Sequence, residues 1–319
     1  MTAIPLPQIA RLAAELNLSV IRSNSHFYGR KAMHGIIALF LSRMCLADWC
    51  VGDGIAPPDR VTRFASVNQL AASLDLPLET TRRNVVEMVG LGHLVRLDDG
   101  LALPVAPPAA ARTVAYLSAL HDLYVRLIDD IARTGNFGFA PTGNRVPLVR
   151  DVLERALDIF LMPFDAWGGI DSNLAAKYLW VAVNCANIRH LTIDAELSNR
   201  HAFEPPDDSE RRAVSVRSAA AAIEMSYATA WRQVPVLTAL QLLTVGRHGL
   251  IVSRASLASE TVRRRRQQSV GYLLRRTDEL CRSGLDPARA SERYITGRPP
   301  LVPFLQDRPG AAPTEGAMA

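Results

Sequence analysis

Lysine is nearly missing from this chain: of 36 basic side chains among 319 residues, only Lys31 and Lys177 are lysines. Cysteine is scarce as well. Cys45, Cys50, Cys185 and Cys281 show neither a disulfide framework nor a C-x-x-C pair. Cys45 and Cys50 near His34, and Cys185 near His190, lie at spacings that do not converge on a metal from one helix, so buried thiols are expected. Neither G-x-x-x-x-G-K-[ST] nor G-x-G-x-x-G occurs, and Gly135-Asn136-Phe137-Gly138 reads as a loop. No cofactor and no metal are expected. No Ser/His/Asp arrangement stands out; His121 is expected on a helix surface, and Asp129-Asp130 and Asp278-Glu279 sit at helix ion-pair distance from arginines. The chain is therefore read as a non-enzyme. Dense apolar runs such as Gly35–Leu41 fall short of the ~20 residues that span a bilayer. The opening MTAIPLPQIARLAAEL lacks the basic-then-apolar layout of a signal peptide. A cytoplasmic, nucleoid-associated protein with no membrane partner is expected.

What is present is an ordinary globular balance, 49% apolar and 21% charged, with a mean hydropathy of +0.07. At about 150 residues per domain, the length suggests two domains. The charge is localised. Between Arg254 and Arg298 the chain carries 11 arginines against 5 carboxylates, a net of +6, so the rest of the chain with its overall +5 is about neutral. Arginine for lysine across a GC-rich coding sequence gives the same balance. A flat guanidinium can nevertheless clamp a phosphate or a guanine edge with two hydrogen bonds, so an anionic partner is indicated.

The same unit occurs twice. Residues 66–135 align without a gap onto 215–284 at a shift of 149. Ser66-Val67 matches Ser215-Val216; Ala71-Ala72 matches Ala220-Ala221; Thr80, Arg83 and Val85 match Thr229, Arg232 and Val234; Gly100-Leu101 matches Gly249-Leu250. Upstream, Ile21-x-Ser23-Asn24 matches Ile170-x-Ser172-Asn173, and Pro57-Pro58-Asp59 matches Pro205-Pro206-Asp207. An ordered set of this kind indicates internal duplication. Helical periodicity runs through Met33, Ile36, Ile37, Phe40 and Met44 and through Leu179, Ala182, Val183 and Ala186, with Ser23 and Ser172 as expected caps. Stretches 112–134 and 261–283 read as long closing helices, each ended by glycine. The expected division is a first unit at 1–140, a second at 141–298 joined through Gly135–Pro147, and a disordered tail at 299–319.

One passage in each copy is specific. In the first, Ser66 caps a short helix with Leu70, Ala71 and Leu74 inward; Asp75-Leu76-Pro77 breaks the chain; a second helix buries Thr81, Val85, Met88 and Val89. Gly90 and Gly92 end it, and 94–103 folds as a hairpin turned by Asp98-Asp99-Gly100. This order resembles the winged helix-turn-helix of bacterial regulators of the MarR and GntR types, over about forty residues per copy. The resemblance implies a mainly α fold of two tandem winged helix-turn-helix units with small β-hairpin wings. It further implies that the second helix enters the major groove of double-stranded DNA, with Leu78, Glu79, Thr80, Arg82 and Arg83 facing it and Arg82 or Arg83 reading guanine.

The second copy departs from this pattern. Its outward positions are Tyr227, Ala228, Thr229, Trp231 and Arg232, with core positions Ala230, Val234 and Leu237. Pro235 is expected to kink or shorten its second helix. Its wing tip carries Arg247-His248 where the first has Asp98-Asp99. Arg263, Arg264, Arg265 and Arg266 surround the closing helix, so one is expected to turn inward while Arg263 and Arg264 remain open to phosphate. The expectation is a bacterial, sequence-specific transcription regulator that reads an asymmetric site with two unlike faces. A plasmid or phage replication initiator and a winged-helix partner in chromosome structure stand as alternatives. Homodimerisation through the long helices stays open.

Overall fold

A computed structural model describes residues 4–136, 138, 139, 141–162 and 173–305. The fold is mainly helical, and its strands form small two-stranded antiparallel sheets. The chain divides into two compact units. Unit one gathers the described residues within Ser23–Phe164 and Gln268–Pro299; unit two gathers those within Met1–Arg22, Asp165–Gln267 and Pro300–Ala319. This differs from a cut near residue 140. Helix α1 (Leu6–Tyr28) contributes to both units, as does the long helix Glu260–Ser283, and Gly135–Pro147 runs within unit one.

Unit one is built around α2 (Ala32–Trp49), which is apolar on nearly every side and buries Ile37, Leu39, Leu41, Leu46 and Trp49. A helix of that pattern must be enclosed. Among the described residues it is also the one helix long and apolar enough to cross a membrane, at mean hydropathy 1.2, a feature that short apolar runs do not reveal; 61% of it is buried inside the unit. Gly35 permits the closest approach, since a Cβ there would lie 2.5 Å from Asn24 Cβ. Asn24 accepts from the buried Tyr116 hydroxyl at 2.7 Å. The expected cap at Ser23 is not formed: Ser23 lies inside α1, and α2 begins after Lys31 without a side-chain cap. The matching Ser172 lies outside the described residues, and its neighbour Asn173 caps the helix Leu174–Ile193.

After α2 come the small hairpin β1 (Cys50–Val51) and β2 (Gly54–Ile55), then α3 (Val67–Ser73), α4 (Leu78–Gly90), β3 (Val95–Leu97), β4 (Gly100–Ala102), α5 (Ala109–Thr134) and α6 (Val149–Phe160). Asp158 on α6 accepts from Arg43 at 2.7 Å and from Arg276 at 2.8 Å, joining three helices through one carboxylate. His121 is not on a surface. It is fully buried, with Nδ1 2.9 Å from Asp122, because Asp122 itself is drawn inward to accept from the Ile295 and Thr296 amides at 2.8 Å each. Burial raises the Asp122 pKa, but the hydrogen bonds from His121, Ile295 and Thr296 outweigh it and hold the group below the usual carboxylate value.

Unit two holds α7 (Leu174–Ile193), α8 (Ala195–Arg200), α9 (Val216–Ala222), α10 (Tyr227–Ala239), β5 (Thr244–Gly246), β6 (Gly249–Ile251) and α11 (Arg254–Ala258). The first turns of α1 belong here. Gln8 donates to Ser198 at 3.0 Å, Arg11 donates to the carbonyls of Ser198 and His201, and Glu15 pairs with Arg189 at 2.6 Å. Residues 300–305 also pack here rather than forming a loose tail: Arg189 donates to the Val302 carbonyl and lies 4.4 Å above the Phe304 ring. Val302 and Phe304 are buried, and burial of their side chains favours the ordered segment. The remainder of the expected tail, 306–319, lies outside the described residues.

The repeat is visible in backbone detail as well as in letters. Ser66 and Ser215 each accept from the amide three residues on, at 3.1 Å. Asp75 and Glu224, 149 apart, both adopt positive φ (50° and 54°), as do Gly92 and Gln241 (66° and 57°). Leu76 and Met225 donate to Ala71 and Ala220 at 2.9 Å. Each hairpin gains one further bridge, Ala65 to Leu101 and Val214 to Leu250. Helix α12 (Glu260–Ser283) and α5 both give way to a glycine of positive φ, Gly284 and Gly135.

Candidate nucleic-acid interfaces

In unit one the capping box of Ser66 and Gln69 starts α3, and Pro77, held at φ −58°, precedes α4. Leu70, Ala71, Thr81, Val85 and Met88 lock the two helices together, so the opposite side of α4 faces outward. Glu79, Arg82 and Arg83 are exposed there, and Arg82 pairs with Glu79 at 3.4 Å. Thr80 is half-buried, and its carbonyl accepts from Asn84 at 2.8 Å. Leu78 and Val86 on α4 and Leu91 just after it are exposed as well, and Val86 has no counterpart among the expected site residues. At the helix end Glu87 pairs with Lys31, whose hydrogen bond pulls the carboxyl below its usual value.

A buried aromatic group lies beneath that end. Tyr28 meets His93 edge-on at 5.4 Å, and His34 meets His93 at 6.4 Å. Burial, then the nearby Arg112 charge and His34, lower the His93 pKa to about 4. Arg112 donates to the Gly92 carbonyl, tying α5 to the end of α4. Asp98-Asp99 at the turn of β3 and β4 is exposed, as is Arg96 on β3.

In unit two Ser226 caps α10 by accepting from the Thr229 amide at 3.1 Å, and its hydroxyl lies 2.8 Å from that of half-buried Thr229. Tyr227 and Trp231 stack at 6.0 Å with planes 22° apart, and they are 51% and 55% exposed. Arg232 is exposed and lies back along the helix, donating to the Ala228 carbonyl at 3.1 Å. Pro235 does not shorten α10, which has 13 residues like α4. Pro235 is exposed, so water can serve the carbonyl that loses its helical partner. Arg247 and His248 are exposed at the turn of β5 and β6.

Asn187, invisible as a site in the sequence, anchors this hairpin. From the buried face of α7 it donates to the Arg212 carbonyl at 2.7 Å and the Leu250 carbonyl at 3.0 Å, and accepts from the Val252 amide at 2.8 Å. On α12, Arg263 pairs with Glu260, Arg264 is exposed, and Arg266 is half-buried with its pKa lowered by burial and by Arg263.

The four cysteines are free thiols, and burial pushes Cys45 and Cys50 up to about 11. No group of three or more metal-capable side chains exists among the described residues. Comparisons with protein-family models, with curated proteins and with solved structures found no match.

Proposed function

We propose that this chain is a sequence-specific double-stranded DNA-binding regulator of transcription, built on two winged helix-turn-helix units in one polypeptide. The observation that carries the reading is the exposed face of α4, where Arg82 and Arg83 stand beside a hairpin and opposite a locked core. A helix held by its inner side and free on its outer side suits insertion into a major groove. Arg82 or Arg83 reads guanine, worth ~1–3 kcal/mol of base discrimination. Arg232, Arg247, Arg263 and Arg264 contribute phosphate contacts, each adding about 0.9 to the slope of log affinity against log salt. Glu79 orients Arg82, as its 3.4 Å ion pair suggests.

The repeated backbone supports two such reading heads, and their unlike outer residues favour an asymmetric site. Selection of bound sequences from a random duplex library tests this. A single asymmetric motif is expected; recovery of unenriched sequence would refute the reading.

A further inference from the structure

We propose that the outer face of α10 and its wing bind unpaired bases of single-stranded DNA, with Tyr227 and Trp231 as the stacking platform. The inference rests on the nucleic-acid reading of that face and adds an unpaired strand to the duplex contacts proposed for it. Two independent observations lead there.

The first is charge. Between Ser215 and Ser253 the chain has three arginines, one histidine and a single carboxylate, Glu224. That carboxylate is neutralised by Arg22 at 3.1 Å within the same unit. The corresponding segment 66–104 carries five carboxylates against three arginines, two of them at the wing tip. The α10 face therefore carries the larger excess of cations, which suits a polyanion.

The second is shape. Tyr227 and Trp231 present flat, more than half-exposed rings in near-parallel planes, and Val245 on the wing is exposed as well. A closed duplex offers base edges in its grooves, whereas an unpaired base offers a π-face that a flat ring can cover. Arg232 at the next helical position and Arg247 with His248 on the hairpin supply cations for the backbone of such a strand. An aromatic platform flanked by cations, with its lone acid already paired, fits single-stranded nucleic acid better than an acidic or purely apolar protein surface.

The test is anisotropy titration of the full chain with labelled oligothymidylate, an abasic strand of equal phosphate number and a blunt duplex. Oligothymidylate is expected to bind about tenfold or more tighter than the abasic strand. Trp231→Ala and Tyr227→Ala should each remove about tenfold of that affinity, while Trp231→Phe, which keeps a flat ring, retains most of it. Both positions are solvent-exposed, and an unchanged urea midpoint for each variant confirms that the fold is kept. Equal binding of base-bearing and abasic strands overturns the proposal, as does a salt-insensitive dimer in sedimentation that Trp231→Ala dissociates. Motif selection by duplex DNA that survives alongside either result would sink this inference alone. Preferred oligothymidylate binding without any duplex motif would sink the regulator reading and leave the stacking platform standing.

Discussion

Replacing Asn187 by Ala should loosen the β5–β6 hairpin of unit two from its supporting helix. The side chain makes three hydrogen bonds, but their losses are unequal. The Leu250 carbonyl keeps a second partner, the Val214 amide at 3.2 Å, and Arg212 is exposed, so water can reach its carbonyl. The Val252 amide is different: Val252 is fully buried, and its donor is left unpaired. An orphaned buried donor costs about 1–3 kcal/mol and a hydrogen bond exchanged for water about 1, so the variant should lose about 2–4 kcal/mol.

Urea unfolding gives the stability change, and hydrogen exchange at the Val252 amide locates it. Asn187→Asp sharpens the test. The carboxylate still accepts from Val252 but faces two carbonyl oxygens, so its folded pKa lies above its unfolded one. The Asp variant is therefore most stable relative to the parent below the unfolded pKa of about 3.9, and loses that stability as pH rises through the folded value. An Asn187→Ala protein with an unshifted midpoint and full Val252 protection would refute the reasoning.

Glu15→Ala leaves Arg189 buried without its carboxylate and should cost about 3–5 kcal/mol, with residues 300–305 becoming susceptible to limited proteolysis. Because burial holds the folded His93 pKa near 4, below its ordinary 6.5, the unfolded chain binds the extra proton. Its stabilising contribution is full above pH 6.5 and is lost as pH falls toward 4. His93→Gln should flatten that part of the stability profile in calorimetry. Pro235→Ala restores a helical donor at an exposed position and should raise stability by about 1–3 kcal/mol in urea, without altering the affinity for a selected duplex.

What was legible in the sequence was local. Ser66 and Ser215 announce their helices because a cap depends on residues three apart, and Gly135 and Gly284 end theirs through backbone freedom. The inner faces of α4 and α10 follow from spacing alone, and the outward Arg82, Arg83, Tyr227 and Trp231 from the resemblance to winged helices. The break at Asp75 is legible beside Pro77, whereas the turns at Glu224 and Gln241 were hidden because left-handed backbone there falls on residues other than glycine. The division into units was hidden for another reason. It depends on Glu15 meeting Arg189 and on Arg276 meeting Asp158, pairs 174 and 118 residues apart that no periodicity encodes. His121 looked superficial because its burial is imposed by Asp122 binding the backbone of Ile295 and Thr296, and Asn187 looked like one more residue on an apolar helix.

The central claim is that α4 reads base sequence through its arginines. Its most direct test is the affinity of the Arg82→Ala, Arg83→Ala double variant for the selected duplex and for a scrambled duplex at one salt concentration. The account predicts that the preference for the selected site falls by about five- to 150-fold, the equivalent of ~1–3 kcal/mol, while scrambled-site affinity weakens less. An unchanged preference would contradict it.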